Sequence, residues 1–429
     1  MSFCVSVNEI PPVCLKMADI ALLIDVYELV IRDMLFDSRK RSTSSQADPL
    51  SCAGLPCYNV FGLYSFAASR QELHIDNEWK CSVPTQARTL LRITVNSSCQ
   101  TDPQEGCTPG MHSGWYYIMS FATAFVFVYV SIPYVRKLAV RLGFVDRPNQ
   151  RKIHKEPIPL LGGLPLYVGF LVSAGAFGKG GQTFWGVAVG GLLILLIGIL
   201  DDYYKTRGRD FKAWPKFLTQ IVAALILVAF GITINGVNLP LSHGYYAFPT
   251  WLSIVTTVVW VVAITNMMNF LDGVDGLSAG ISAISAMTLF FIALLKGQGA
   301  MAVFAVVLMG SALGFLRHNF HPARIFMGDA GATFLGYVLA AVAVQGAFKS
   351  ATLVSLVVPV LALGVPILDT VWVIIRRFRE NRPIYVADKG HTFHLLMKSG
   401  LSQVQTVAFL YLLGLCFSLA SIVVLLAVH

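Results

Sequence analysis

From residue 111 onward, apolar stretches follow one another with short polar breaks, and the breaks carry almost all of the charge. Ten stretches stand out, at roughly 115–135, 157–178, 180–200, 217–234, 251–270, 276–295, 297–316, 328–348, 350–375 and 400–428. Runs of about 20 apolar residues match the thickness of a bilayer when helical. With no water to satisfy backbone groups in hydrocarbon, the pattern predicts an all-α polytopic integral membrane protein of about ten transmembrane helices. Residues 1–110 follow another pattern. Lys16 to Phe36 has the periodicity of an amphipathic helix, while Ser38 to Pro49 and Asn96 to Gly110 are polar and turn-rich.

Composition sharpens this division. With 55% hydrophobic and 13% charged residues among 429, the chain is too apolar for a soluble protein of its size. Seven of the eight cysteines lie in residues 1–110, with 9 Lys+Arg against 12 Asp+Glu; the remainder carries 23 basic and 11 acidic residues. The cysteines show no zinc spacing, and their odd number leaves one thiol over in any disulfide scheme. The apolar run after Met17 is interrupted by Asp19, Asp25 and Glu28, unlike a signal peptide. The expectation is therefore an N-terminal extension, 1–110, outside the functional unit, and a membrane domain, 111–429, for which Met111 is a natural start.

The charges also orient the helices. If the C-terminal flank of the first stretch is cytoplasmic, the loops on that side hold seven basic residues from Arg136 to Lys155, five from Lys205 to Lys216, Arg317 with Arg324, and six from Arg376 to Lys398. The opposite loops keep Lys179, Lys296 and Lys349. The positive-inside rule then places both ends of the membrane domain outside. It also accounts for the basic balance without nucleic acid as a partner. All eleven acids after Met111 fall on the cytoplasmic side, whereas a transporter with a midplane ion site would carry them mid-helix. The distribution points to chemistry at the inner surface of the membrane.

Three acidic motifs are candidates for that chemistry. In TNMMNFLDGVDGLSAG (265–280), Asn266, Asn269, Asp272 and Asp275 stand beside Gly273 and Gly276 where a loop enters an apolar helix. Such a segment supplies oxygen ligands and close backbone approach for a magnesium–phosphate site; helix capping is the competing role. Asp201 and Asp202 close the third stretch in LDDYYK, where the negative helix end and their mutual repulsion are unfavourable without a cation. Lys205 and Lys216 follow as phosphate partners or membrane anchors. Asp329 opens the eighth stretch between Gly328 and Gly331, with Arg324 upstream; here too capping competes.

RPNQRKIHKEPIPLLGG (147–163), LDDYYK, NMMNFLDGVDGLSAG, NFHPARIFMGDAGATFLG, VPILDTVWVIIRR and DKGHTFHLL occur in the order and membrane context of the polyprenyl-phosphate N-acetylhexosamine-1-phosphate transferases. The chain from Met111 resembles that family, glycosyltransferase family 4, and most of all its undecaprenyl-phosphate GlcNAc-1-phosphate branch. The sister branch, which transfers phospho-MurNAc-pentapeptide in peptidoglycan synthesis, stays open. The resemblance implies a plasma-membrane enzyme that moves GlcNAc-1-phosphate from UDP-GlcNAc to undecaprenyl phosphate in the inner leaflet. UMP leaves, and an envelope polysaccharide such as teichoic acid or O-antigen is begun. It implies Mg²⁺, with Mn²⁺ as a substitute, on Asp202, Asp272 and Asp329. Catalytic groups would be Asp201, Asp202, Asn269, Asp272 and Asp275; Lys205, Lys216, Asn266, Arg324, His391 and His394 would bind substrates. Partners are then the UDP-sugar and the lipid phosphate, with a homodimer compatible.

Whether Asp201 serves as a general base, or an aspartate forms a covalent intermediate, is left open by the residues. A phosphate monoester is mostly ionised at neutral pH in any case, its second pKa being about 6. One position departs from the family pattern: Phe393 stands where the family typically has the middle histidine of His-x-His-His. Either the middle histidine is dispensable, its place taken by ring stacking on a base or sugar, or the enzyme is weak or altered in donor choice; Phe393→His is expected to raise activity with the smaller donor. Asp369 and Arg376, on one helix face, are expected to orient this loop.

Overall fold

The computed structural model describes residues 2–5, 13–16, 114–146, 157–178, 180–209, 211–238, 245–346, 354–381 and 390–427. The remainder of the N-terminal extension lies outside them, as do 147–156, 382–389, Lys179 and Lys349. In chain order the elements are β1 (Ser2–Val5), β2 (Val13–Lys16), α1 (Gly114–Leu142), β3 (Val145–Asp146), β4 (Ile158–Pro159), α2 (Gly163–Phe177), α3 (Gln182–Thr206) and α4 (Ala213–Ala229). There follow β5 (Gly236–Asn238), β6 (Tyr245–Ala247), α5 (Thr250–Leu271), α6 (Leu277–Leu295), α7 (Gly299–Asn319), α8 (Gly328–Gly346), α9 (Val354–Ala362), α10 (Gly364–Arg379), α11 (Thr392–Lys398) and α12 (Gln403–Ala427). The strands form three short antiparallel pairs, β1–β2, β3–β4 and β5–β6, which the hydropathy pattern does not show. β2 occupies the first residue of the expected amphipathic helix, whose remaining residues are not described.

Seven helices, α1, α3, α5, α6, α7, α8 and α12, are long and apolar enough to cross a membrane, and α2 and α4 are shorter apolar helices. The chain is an all-α polytopic membrane protein. The ninth apolar stretch is not one helix but two. Pro366 has no N–H, and its ring would strike the carbonyl of Ala362 in a continuous helix. The helix therefore stops at Ala362 and restarts at Gly364, which puts Pro366 in a first turn, where a missing donor costs nothing.

Helix α8 is the axis of the bundle, and almost every residue along it is buried. Small residues let its neighbours approach: Gly198 of α3 lies where a Cβ would sit 2.3 Å from Ala330 Cα, and Gly336 of α8 rests against Ile264 and Thr265 of α5. On the other side the Tyr337 hydroxyl donates to the carbonyls of Gly186 and Ala223, 3.2 Å each, tying α8 to α3 and α4. The α6–α12 contact contains a Thr288 to Ser418 hydrogen bond of 2.6 Å, and Tyr411 donates to Gly276 O at 2.7 Å. One end of the axis is finished by chain 157–163. Gly162 and Gly163 donate to the carbonyls of Phe326 and Met327, and Phe326 N donates to Pro159 O, so β4 and the entry to α8 form one wall.

Candidate active site

The C-terminal end of α3, one turn before its close at Thr206, and the first turn of α8 meet, and their carboxylates converge. Asp201, Asp202 and Asp329 bring oxygens within 4.8 Å of one another, and Asp201 and Asp202 are each only 2% exposed. Asp202 accepts hydrogen bonds from the backbone N–H groups of Asp329 (3.0 Å) and Ala330 (3.3 Å). The cap of α8 is thus an aspartate from another helix, which leaves the Asp329 carboxylate free of that duty. Gly328 makes this geometry possible. Its φ is +68°, and a Cβ there would lie 2.2 Å from Asp202 Oδ2.

Two ammonium groups stand among the three carboxylates, one charge short of balance. Lys205, one turn after Asp201, lies 2.8 Å from it and also reaches Asp329. Lys216, in the first turn of α4, bridges Asp201 at 3.1 Å and Asp329. Removed from water, such carboxylates need compensating cations, and lysines are compact, mobile charges that can retreat onto phosphate oxygens. The donor set, hard oxygens at one point with a cation-hungry balance, fits Mg²⁺.

A cleft of about 960 Å³ opens over this cluster. Of the residues singled out in the sequence, Asp202, Lys205, Asp272, Asp275, Arg324, Asp329 and His394 line it. Asp272 stands outside the three-carboxylate group, although it was expected among the metal ligands, and Asp201 is inside. The reason is positional: Asp272 follows the last turn of α5 and its own N–H is turned to Asn269 O, whereas Asp201 shares the α3 terminus with Asp202. Burial pushes the Asp272 carboxyl well above the usual carboxylate range, and the charges of Asp329 and Asp202 push it further.

Neither Asp272 nor Asp275 caps α6, whose N-cap is Gly276. Asp275 instead accepts from Ala323 N at 3.1 Å and pairs with His321 Nδ1 at 2.8 Å, fastening the loop between α7 and α8. Asn266 is absent from the lining, and its amide donates to Gln220 (2.6 Å) and to Val262 O (2.8 Å). Asn269 is also absent from the lining, and its carbonyl accepts from Asp272 N at the end of α5. Lys216 and His391 are not among the lining residues, though Lys216 touches Asp329, which is. The lining includes residues that composition did not single out: Arg136, Asp146, Asn319, His321, Phe326 and Gln403. Asn319 and His321 had a signal in NFHPARIF, a polar run between apolar helices. Asn319 accepts from Gly276 N at 3.0 Å and donates to Ile325 O at 2.9 Å, locking two of the motifs together.

The histidine segment is oriented from α10. Asp369 accepts from Thr392 N at 2.6 Å and pairs with His391 Nδ1 at 2.7 Å, as its place on the helix face suggests. Arg376 lies against Gly390, where a Cβ would be 1.8 Å from the guanidinium. Phe393 speaks against the stacking alternative. Its ring is 2% exposed, packed on Gly273 and between His391 and His394, so it presents no face to a base or sugar. Phe393→His is accordingly expected not to raise turnover, because the ring never meets donor. Phe393→Ala should instead lower stability by about 3 kcal/mol, as for a core phenylalanine, and loosen the turn from Asp272 to Asp275. Turnover of purified Phe393→His and thermal unfolding of Phe393→Ala check the two statements.

The profile of the family described as glycosyl transferase family 4 matches residues 184–347, the span from α3 through α8. A Bacillus subtilis (strain 168) protein named probable undecaprenyl-phosphate N-acetylglucosaminyl 1-phosphate transferase is 39% identical over 307 residues, 71% of this chain and 84% of its own length. The chain belongs to glycosyl transferase family 4. Decaprenyl-phosphate N-acetylglucosaminephosphotransferase of Mycolicibacterium smegmatis is 37% identical over 319 residues, 68% of this chain and 77% of its own. Undecaprenyl-phosphate alpha-N-acetylglucosaminyl 1-phosphate transferase of Escherichia coli (strain K12) is 29% identical over 323 residues, 72% and 82%. The family match covers both helix ends that build the carboxylate cluster.

Proposed function

We propose that the protein transfers GlcNAc-1-phosphate from UDP-GlcNAc to a polyprenyl phosphate, undecaprenyl phosphate above all, releasing UMP. The observation that carries this reading is the meeting of Asp201, Asp202 and Asp329 with Lys205 and Lys216 beneath a cleft large enough for a sugar nucleotide. The names of the relatives point to the same chemistry. Magnesium held by Asp202 and Asp329, with Asp201 or Asp272 completing the set, would neutralise diphosphate charge.

The chain's own groups do the rest. Lys205 and Lys216, which pair with the carboxylates here, turn to phosphate oxygens; Arg324 and His394 reach the donor from the cleft walls. Asp201, buried and shared between two lysines, holds those ammoniums in place rather than taking a proton, which an ionised phosphate does not require. Attack is direct, lipid phosphate oxygen on the sugar-linked phosphorus. All these groups come from one chain, so the chemistry does not call on the second copy of a homodimer. In the plasma membrane the cleft faces the cytoplasm, where nucleotide sugars are found; ten apolar segments, with α9–α10 counted as one, put both ends of the membrane domain outside. Residues 1–110 are dispensable, and the lipid product begins an envelope polysaccharide.

Purified protein supplied with UDP-GlcNAc, a short polyprenyl phosphate and Mg²⁺ should release UMP and form a lipid-linked diphospho-sugar, with chelator stopping the reaction. The protein beginning at Met111 should do so at the same rate. UDP-MurNAc-pentapeptide should give no product; a pentapeptide-bearing lipid would overturn the donor assignment.

A further inference from the structure

Arg136 lines the catalytic cleft, but Lys137, turned about 100° further around helix α1, lines a separate pocket of about 340 Å³ with Tyr129, Val130, Pro133, Tyr134 and His318. Pro133 lacks the N–H that would have bonded the Tyr129 carbonyl one turn earlier. His318, in the last turn of α7, takes its place: Nε2 donates to Tyr129 O at 3.1 Å, and the ring lies 5.0 Å from that of Tyr129. A proton on Nε2 leaves Nδ1 of a neutral ring as an acceptor. The pocket adjoins an exposed apolar row, Val126, Val130, Tyr134 and Leu138, on the lipid side of α1. Lys137 is exposed and makes no ion pair among the described residues. A cation, an acceptor and two tyrosine rings thus stand at the edge of hydrocarbon, where amphipathic groups gather.

We propose that this pocket binds the head group of a phosphodiester phospholipid from the leaflet next to the catalytic cleft. Charge decides between lipids. Lys137 is the one lysine or arginine in the lining, with Arg136, Arg317 and Arg324 near His318 outside it. It matches the single charge of a phosphodiester, while a phosphate monoester, at about −1.5 to −2, matches the two lysines of the cleft. A hydroxyl or ammonium on the same head group donates to His318 Nδ1, and the acyl chains lie along the exposed row. The site is coupled to the cleft through the backbone. His318 O accepts from Arg324 N at 2.9 Å, and the neighbouring Asn319 holds Gly276 and Ile325. A lipid seated against His318 therefore braces the loop that carries Arg324 and His321.

The test is native mass spectrometry of the full chain in detergent with added phosphatidylglycerol. Wild type should retain one tightly held equivalent. Lys137→Gln should lower its occupancy about fivefold, the weight of one lysine at an anionic interface. Val130→Trp, which fills the pocket and keeps the charge, should lower it as much. Lys398→Gln, at another exposed lysine, should leave it unchanged, and inorganic phosphate should not compete. Equal retention by Lys137→Gln or Val130→Trp would overturn the proposal, as would an equal loss in Lys398→Gln. Displacement of the lipid by one equivalent of polyprenyl phosphate would overturn it in favour of a substrate path.

Discussion

Asp202→Asn and Asp329→Asn are each expected to lower UMP release at least about a hundredfold, the scale of losing a metal ligand or an electrostatic stabiliser, with unchanged protein in the membrane. The two losses differ in kind. Asparagine at 202 can keep one acceptor for Asp329 N, but its amide hydrogens then confront Ala330 N, so the first turn of α8 shifts as a charge is lost. At 329 the backbone cap is untouched, and the change removes the carboxylate that Lys205 and Lys216 share. Asp202→Asn should therefore also lower the unfolding midpoint, by the equivalent of about 1–2 kcal/mol, while Asp329→Asn should alter activity almost alone. Turnover by purified variants, normalised to folded protein, decides the matter. Near-normal rates in both would mean that these acids only shape helix ends.

Gly328→Ala should be nearly as damaging without removing any functional group. Alanine at φ +68° costs about 1–2 kcal/mol in backbone strain, and its Cβ would lie 2.2 Å from Asp202 Oδ2. That contact has to be relieved, and the group that can move is the Asp202 side chain. A displacement of about 1 Å at a catalytic centre costs on the order of a hundredfold. Gly143→Ala separates the two effects, since Gly143 has φ +73° with nothing within 4 Å of a built Cβ. It should show the strain alone: a lower unfolding midpoint with turnover close to wild type. Equal activity losses at both positions would mean that strain, not the contact, is responsible.

The apolar stretches were legible because a bilayer demands length, and α1 through α8 lie where hydropathy puts them. The break at Leu363 was not, because Pro366 is tolerated in a first turn as well as in a loop, and hydropathy does not distinguish the two. Asp201, Asp202 and Asp329 were conspicuous as acids at apolar helix ends. Which of them meet depends on how α3 and α8 cross, and that depends on Gly198 against Ala330, a contact between residues 132 apart in sequence. The pairing of Asn266 was hidden for a related reason. Its partner, Gln220, is on another helix, and a carboxamide looks alike in sequence whether it faces substrate or a neighbour. Phe393 left two readings open because exposure, not residue type, separates a stacking ring from a packing one.

Helix α8 carries Asp329 and is the most enclosed of the seven long helices, yet it is also the least hydrophobic. An element of that kind is held in the bilayer by its neighbours more than by lipid. During synthesis α8 would partition poorly by itself, and its residence in the membrane awaits α3, α5, α6 and α7, all made before it. The aspartate that completes the carboxylate cluster is thus the last of the three to arrive, on a helix that can be retained only where the rest of the site has already formed.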